Sequence, residues 1–415
     1  MKPGSGPFDA LVLGAGAIGT LCALELQRRG LRTGLIDRDP PGAGTSSGNA
    51  GVFARGAILP VSTPAMWRRI PHLLVAKHSP LTVRWRHMPA RVPWLVDLWR
   101  AQWRWQARIA PLDALLRGCS ELHGRLMAEA GLSGLLNAHG WLYLYDNAQA
   151  FADDARLRRL YDAYGIAYEV WDRERLYAEE PALGPGFSHG LHHVETAAVR
   201  DPRAVIDGYA RLFVQAGGTI VRAQIEQVVP DADTVRVVTR QGAYAGDQVV
   251  LALGAFSGAL ARRFGARVRL DTERGYHAML ALDGPALSRP VHPLSLGFVM
   301  APQLGGIRLT SGDELGGLQA APRYGTVTRL IPLAQKVLPG LAADAHATWM
   351  GYRPSTPDSL PVIGHAPADR RILFAYGHGH LGLTLAPRTG QLIGQLATGQ
   401  TPNTDLAPYA ADRGV

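Results

Sequence analysis

Apolar positions along this chain alternate between short unbroken runs and stripes at helical spacing, beginning close to the N-terminus. Residues 10–13 form an unbroken apolar run, the pattern of a strand covered on both faces. Residues 17–29 carry apolar positions at helical spacing and stop at Gly30, and a second run, 33–36, ends in Asp37. Strand, helix and strand in that order predict a βαβ unit on a parallel sheet. The same style returns later, with a helix over 202–216 before Gly217 and Gly218 and strands over 219–229 and 234–239. A further run over 247–257 ends in glycine and opens a helix. Between these blocks the pattern changes. Residues 111–131 read as one amphipathic helix, 141–145 alternate as a strand, and 152–164 form a charged surface helix. Residues 267–340 are rich in strand and turn signals and predict an antiparallel layer, with a helix over 325–338 lying on it. The last section, 347–399, carries two short strands and a long helix ending at Gly399.

A chain of 415 residues is too long for one small core, so two intimately joined domains are expected. The nucleotide-style blocks assign 1–63, 196–265 and 345–415 to one discontinuous domain. Residues 64–195 and 266–344 then form a second domain interleaved with it.

The first turn holds the candidate chemistry. Gly14, Ala15, Gly16, Ala17, Ile18 and Gly19 lie between the first strand and the first helix. Gly14 suits a tight turn, Gly16 lets backbone approach a phosphate, and Gly19 lets the helix pack on the strand. The helix N-terminus then offers unpaired N–H groups and a positive dipole end to a pyrophosphate. Asp37 is placed to accept hydrogen bonds from a ribose. This spacing specifies a dinucleotide and leaves NAD, NADP and FAD open. Arg38 beside Asp37 would serve a 2′-phosphate in the NADP case. The small, polar stretch 40–51 lets backbone lie along an extended ligand, which makes Thr45, Ser46, Asn49, Ala50 and Gly51 candidate lining residues.

Composition narrows the classes. The chain is 47% hydrophobic and 19% charged, with 43 Lys and Arg against 34 Asp and Glu and a net charge of +9. Arginine is scattered rather than clustered, which argues against nucleic acid as a partner. Cys22 and Cys119 lie far apart, consistent with a reducing compartment and with no disulfide framework or zinc site. The N-terminal Lys2 and the apolar stretch after it resemble a signal peptide, but Asp9 and the glycine spacing favour a strand and turn, so a cytoplasmic location is expected. Residues 64–108 stand apart. Trp67, Trp85, Trp94, Trp99, Trp103 and Trp105 are interleaved with Arg68, Arg69, Lys77, Arg84, Arg86, Arg91, Arg100, Arg104 and Arg108. Such a segment either packs between domains or lies at a membrane surface as a peripheral contact.

Several motifs, in order along almost the whole chain, together resemble the FAD-dependent amine and D-amino-acid oxidoreductases. They are residues 14–19 with Asp37, the 44–51 loop, residues 249–257, and Arg274-Gly275-Tyr276-His277. The string from Gly351 through Tyr352, Arg353 and Pro354 to Asp358, and the string Gly377-His378-Gly379-His380-Leu381-Gly382, complete the set. The resemblance is nearest to D-amino-acid dehydrogenases, D-proline and hydroxy-D-proline dehydrogenases among them. Asp37 departs from the glutamate common in the family. No cysteine lies in the C-terminal third, so the FAD is expected to be non-covalent.

The resemblance implies an α/β fold, a Rossmann-type FAD-binding domain interleaved with an α+β substrate domain built on an antiparallel sheet. It adds Val228 beside the adenine and Leu253 and Gly254 at the second turn to the cofactor residues. Backbone N–H groups of Gly379, His380, Leu381, Gly382, Leu383 and Thr384 would meet the negative charge of a reduced isoalloxazine. Arg353 matches the family's carboxylate-binding arginine, whose planar fork suits an amino-acid carboxylate. Tyr276 either donates to that carboxylate or walls the pocket, and His380 adds a donor. The implied reaction is hydride transfer from Cα of a D-amino acid to flavin N5, with electrons passing to a quinone or another non-oxygen acceptor. An oxygen-using amine oxidase and a flavin-bearing subunit of a larger complex are the alternatives, and homo- or hetero-oligomers fit either. No metal site is expected.

Overall fold

The computed structural model describes residues 8–76 and 79–414; Lys2 and Lys77 lie outside the described residues. The first apolar runs form a parallel sheet. Thr219–Arg222, Thr33–Asp37, Phe8–Leu13 and Gly242–Leu251 lie side by side, and Ile372–Tyr376 pairs parallel to the end of Gly242–Leu251. The start of that long strand turns back antiparallel through Val235–Thr239 to Ile225–Pro230. Helix Ala17–Arg28 covers one face, with eight of its residues buried. Helix Ala386–Ala397 packs directly on it, and a Cβ at Gly390 would lie 2.7 Å from Leu21 O. Contact that close needs a residue without a side chain.

The second sheet has ten strands. Its spine is the Asp271–Leu282 strand, paired antiparallel with Leu341–Ser355 on one side and Gly306–Thr310 on the other. Val299–Gln303, Val291–Pro293, Trp141–Tyr145 and His189–His193 extend it. Asp313–Leu315 and Leu81–Val83 form the opposite edge. The division expected at 344/345 falls inside the Leu341–Ser355 strand, because that strand belongs to the antiparallel ladder over its whole length. At its far end, Ser355 bridges to His378 and so touches the turn that follows the parallel sheet.

Some expected elements are broken. The helix expected over 111–131 is two helices, Ile109–Leu116 and Cys119–Glu129, separated where Gly118 adopts φ +72°. Residues 219–229 divide into Thr219–Arg222 and Ile225–Pro230, with the chain changing partners at Ala223 and Gln224. The expected 325–338 helix is also two pieces, Gly325–Thr328 and Ile331–Val337. The tryptophan-rich segment is mixed. Trp94 is 4% exposed and donates to Ser355 O at 3.0 Å, whereas Trp85 and Trp103 are 68% and 70% exposed.

Near the C-terminus, Arg413 forks onto the buried Asp358 carboxylate at 2.8 and 2.9 Å. Burial raises that carboxyl, but the charges and hydrogen bonds of Arg413, with Arg108 behind it, outweigh burial and hold it below the usual range. The stability gained is therefore present above the unfolded carboxylate pKa and disappears as pH falls through the depressed folded value. Arg413→Ala removes the bidentate partner of a buried carboxylate, leaving only Arg108 at 3.8 Å, and is expected to cost about 3–5 kcal/mol. Chemical denaturation at neutral pH should read this loss, and an unchanged midpoint would refute it.

Candidate active site

The two sheets meet at one continuous cavity of about 870 Å³. Its first wall is the turn after the Phe8–Leu13 strand. Gly14 has φ +103°, and a Cβ there would sit 2.4 Å from Ala252 O, so the first and second turns touch backbone to backbone. Ala15 N donates to Asp37 Oδ2 at 2.7 Å and Ala17 N donates to Ser46 Oγ at 3.0 Å, tying the 44–51 loop to the start of the helix. Ile18 also lines the wall, beside Asp37, Arg38, Thr45, Asn49, Ala50, Leu253 and Gly254. A glycine turn, a helix N-terminus and an acid on the neighbouring strand are the donor set and shape that a dinucleotide needs.

Two expected ligand contacts, Gly51 and Val228, fall elsewhere, and Gly19 takes the packing role expected of it. Gly19 lies behind the turn, where its Cβ would meet Gly14 O at 1.8 Å, so its part is helix-to-strand packing. Gly51, at φ +82°, is held against Val199 O by the small sheet it enters. Val228 is fully buried among Val235, Val237 and Phe374. The strand break moves the cavity-facing stretch to Gln224, Ile225 and Glu226, a shift that the apolar pattern of 219–229 does not reveal.

The far end of the cavity is built from the antiparallel ladder and the C-terminal turn. His378, Gly379, His380, Leu381, Gly382, Leu383 and Thr384 line it ahead of helix Ala386–Ala397. Thr384 Oγ1 donates to Val52 O and accepts from Ala54 N, which ties the turn to the strand that follows the 44–51 loop. His378 is buried and shares a hydrogen bond with Thr389 Oγ1 at 3.0 Å; burial pushes it down to about 3, so it is a neutral structural residue. His380 instead faces the ladder and donates to Glu273 Oε2 at 3.1 Å. Desolvation disfavours its charged form, but the carboxylates of Asp313 and Glu273 outweigh this and hold its pKa above the ordinary value.

Arg353 lines the same end, and its guanidinium lies on the Asp313 carboxylate. Tyr276 is 1% exposed, and its hydroxyl donates to Glu314 Oε1 at 2.8 Å and accepts from Arg323 N at 3.1 Å. Both positions of that hydroxyl are taken, so Tyr276 does not stand as a carboxylate donor, but it does line the cavity, the other role expected of it. It shores up the fully buried Arg274–Glu314 pair on the opposite face of the sheet. Tyr352 and Arg353 point to opposite faces, as strand alternation requires, with Tyr352 near Arg274 and Arg353 beside Gly275. The acids Glu273 and Asp313 carry no motif and were missed in the sequence. Trp141 and His292, stacked at 5.9 Å, form a further wall that composition alone did not single out.

A family model described as FAD dependent oxidoreductase matches residues 9–396. The chain belongs to this family. It is 34% identical over 97% of its length to a D-amino-acid oxidase of Bradyrhizobium diazoefficiens, covering 98% of that protein. A D-amino acid dehydrogenase of Phenylobacterium zucineum is 30% identical, covering 97% of each chain. The fold is that of glycine oxidase from Geobacillus kaustophilus, with a TM-score of 0.77, 22% identity and 99% of each chain covered. The protein is thus an FAD-dependent oxidoreductase of the amino-acid oxidase and dehydrogenase family, acting on amine donors, and its cofactor is FAD.

The two glycines of the first turn separate folding from cofactor binding. Gly14→Ala combines a left-handed φ, costing about 1–2 kcal/mol, with a backbone clash, and is expected to lower the melting temperature. At Gly16 the nearest atom to an added Cβ is Ser46 Oγ at 3.4 Å. Gly16→Ala should therefore keep the apoprotein's melting temperature while weakening FAD binding, measured by flavin fluorescence on reconstitution. Equal loss of stability in both variants would refute the distinction.

Proposed function

We propose that this protein oxidises D-amino acids, with D-proline or a hydroxylated D-proline as the expected substrate, and delivers the electrons to a quinone rather than to oxygen. The observation that carries the reading is Arg353, whose guanidinium lines the cavity in the stretch shared with His380 and the Gly379–Thr384 backbone. Gly14, Ala15, Gly16, Ala17 and Ile18 with Asp37, Arg38, Thr45, Ser46, Asn49, Ala50, Leu253 and Gly254 hold the adenosine and pyrophosphate end of FAD. The turn Gly379–Thr384, ahead of helix Ala386–Ala397, would hold the reactive end. When bound, FAD supplies the acceptor for two electrons and the Cα hydrogen.

Arg353 receives the substrate carboxylate as a fixed fork and so restricts the pose of Cα. The amino group is neutral when the Cα–H bond breaks, because its lone pair forms the new C=N bond. The product imine is then hydrolysed by water, or persists where the substrate is cyclic. Trp141, His292 and Phe298 give the chamber aromatic walls. Burial pushes His292 down to about 4, so it presents a neutral ring at working pH. Such walls suit a pyrrolidine ring better than a charged side chain.

The acceptor reading draws on the surface. Leu74, Val75, Trp85, Val96, Trp99 and Trp103 are exposed, and the exposed side chains of Arg68, Arg69, Arg86, Arg100 and Arg104 lie in the same segment. Asp97 is the only acid between residues 64 and 108; it pairs with Arg269 and reaches Arg100 at 3.9 Å, which leaves Arg68, Arg69, Arg86 and Arg104 with no carboxylate partner among the described residues. Exposed tryptophan with unneutralised arginine matches an anionic bilayer surface, where a quinone is available. No helix among the described residues is long and apolar enough to cross a membrane. The name of the Bradyrhizobium relative favours the oxygen-using alternative.

Anaerobic bleaching of the flavin by a panel of D-amino acids, D-proline included, followed by reoxidation with a soluble quinone or with oxygen, tests both parts. Rapid oxygen turnover with hydrogen peroxide release would refute the acceptor. Arg353→Ala is expected to raise KM and lower kcat/KM by about 1.5–3 kcal/mol, roughly ten- to hundredfold, with FAD retained. An unchanged KM would remove Arg353 from its role. Trp99→Ala/Trp103→Ala should abolish sedimentation with anionic vesicles while leaving dye-linked turnover intact; retained sedimentation would refute the membrane face.

A further inference from the structure

Arg353 does not meet the cavity as a lone cation. Its guanidinium lies on Asp313 and donates to Gly312 O at 3.3 Å. His380 Nε2 stands 3.7 Å from the same Asp313 oxygen and 3.1 Å from Glu273 Oε2. Ser355 Oγ donates to Glu273 at 2.8 Å. Sheet register produces this grouping. Glu273 is opposite Arg353, and Leu315, two residues after Asp313, is also opposite Glu273. Asp313, Glu273 and Arg353 therefore share one face of the sheet. A guanidinium, an imidazole and two carboxylates meet at this end of the cavity.

The two acids are not equivalent. Glu273 is buried behind the wall, and burial raises its carboxyl, but His380, Ser355 and Arg353 outweigh that and keep it ionised. Its partners are fixed. The Asp313 side chain is 32% exposed and lines the cavity. Among the described residues, Asp313 forms ion pairs only with Arg353 and His380 and has Glu273 beside it. Glu314 beside it turns to the opposite face, towards Arg274 and Arg84, and the adjoining edge strand is Leu81-Thr82-Val83. The ligand-type atoms of Glu273, Asp313 and His380 lie within 4.8 Å of one another, but the Arg353 guanidinium already lies against Asp313.

Asp313 occupies Nη1 of Arg353, so a carboxylate that forks across the guanidinium competes with an anion already there. An α-amino acid carries its ammonium on the carbon next to that carboxylate, so it brings a replacement cation to the displaced acid. We propose that Asp313 is the anchor and proton acceptor for the substrate amino group. It exchanges Arg353 for the ammonium, and His380, itself fixed on Glu273, stands beside the freed carboxylate. This rests on Arg353 being the carboxylate anchor. In the step, one N–H bond of the ammonium breaks, its electron pair stays on nitrogen, and an O–H bond forms on Asp313. The nitrogen pair then forms C=N as the Cα hydrogen leaves with its electrons in the family reaction. The proton on Asp313 passes to solvent through the exposed side of the carboxylate. A carboxylate that gives up an arginine holds a proton more readily, so the exchange itself prepares the acceptor.

The site would therefore prefer zwitterions to simple anions, and removing Asp313 should move the two ligand types in opposite directions. In Asp313→Asn holoenzyme, propionate, which has no amino group, is expected to bind roughly tenfold more tightly, read by perturbation of the flavin absorbance, because no anion competes for Arg353. Anaerobic flavin reduction by the best D-amino acid should fall at neutral pH by roughly ten- to hundredfold and recover as pH rises towards the free amine. Asp313→Glu should restore the wild-type pH profile. Propionate binding that is unchanged or weaker, or a reduction profile without the alkaline shift, would overturn the proposal. Propionate titration of Arg353→Ala isolates the underlying reading: unchanged affinity there would reject Arg353 as anchor, whereas lost affinity with no effect of Asp313→Asn would reject Asp313 alone.

Discussion

The cavity depends on one strand, Gly242–Leu251, having parallel neighbours on both sides at its C-terminal end. Phe8–Leu13 lies on one side and Ile372–Tyr376 on the other. Parallel strands end at the same edge, so the turns that follow all three open towards one ligand. Those turns come from the beginning, middle and end of the chain. Their closeness is steric as well as topological, since Gly14 packs on the Ala252 carbonyl with no room for a side chain. Were any of the three strands to slip by one residue, the turn it carries would present its other face.

The second sheet must deliver charged side chains to this edge without a second set of glycine turns. It does so by length. The Leu341–Ser355 strand runs the full height of the antiparallel ladder and ends in a bridge to His378. Arg353 therefore sits two residues from the junction of the sheets. Trp94 closes the outside of that junction by donating to Ser355 O, which explains why this tryptophan is buried while Trp85, Trp99 and Trp103 remain exposed.

What the sequence makes legible follows from the same physics. Turns that need a missing side chain leave a mark, because glycine at a fixed spacing has few other causes, and the first turn and the glycine-rich C-terminal string are readable for that reason. Positions set by register leave no such mark. The adenine-side stretch reads as one apolar run, which does not show that, within Ile225–Pro230, Ile225 lines the cavity while Val228 is buried in the core. Tyr276 sits in a motif, yet its hydroxyl is consumed by Glu314 and Arg323, partners that are remote in sequence. Glu273 and Asp313 are ordinary strand acids by composition. Only the ladder reveals that they converge on Arg353.

That convergence changes what the arginine does. A lone guanidinium in an apolar cavity would attract any anion and would carry a large desolvation cost while empty. Balanced by Asp313, and set beside the pair His380 and Glu273, it has a partner in the resting site, so a ligand carboxylate competes with an anion already there. Under the proposed exchange, the energetic gain comes from trading one ion pair for two, with the substrate supplying both charges as groups on one carbon. A ligand with only one of them breaks a pair for each that it makes. Discrimination of this kind acts through the resting state of the protein, and it follows from two acids that share a sheet face with an arginine.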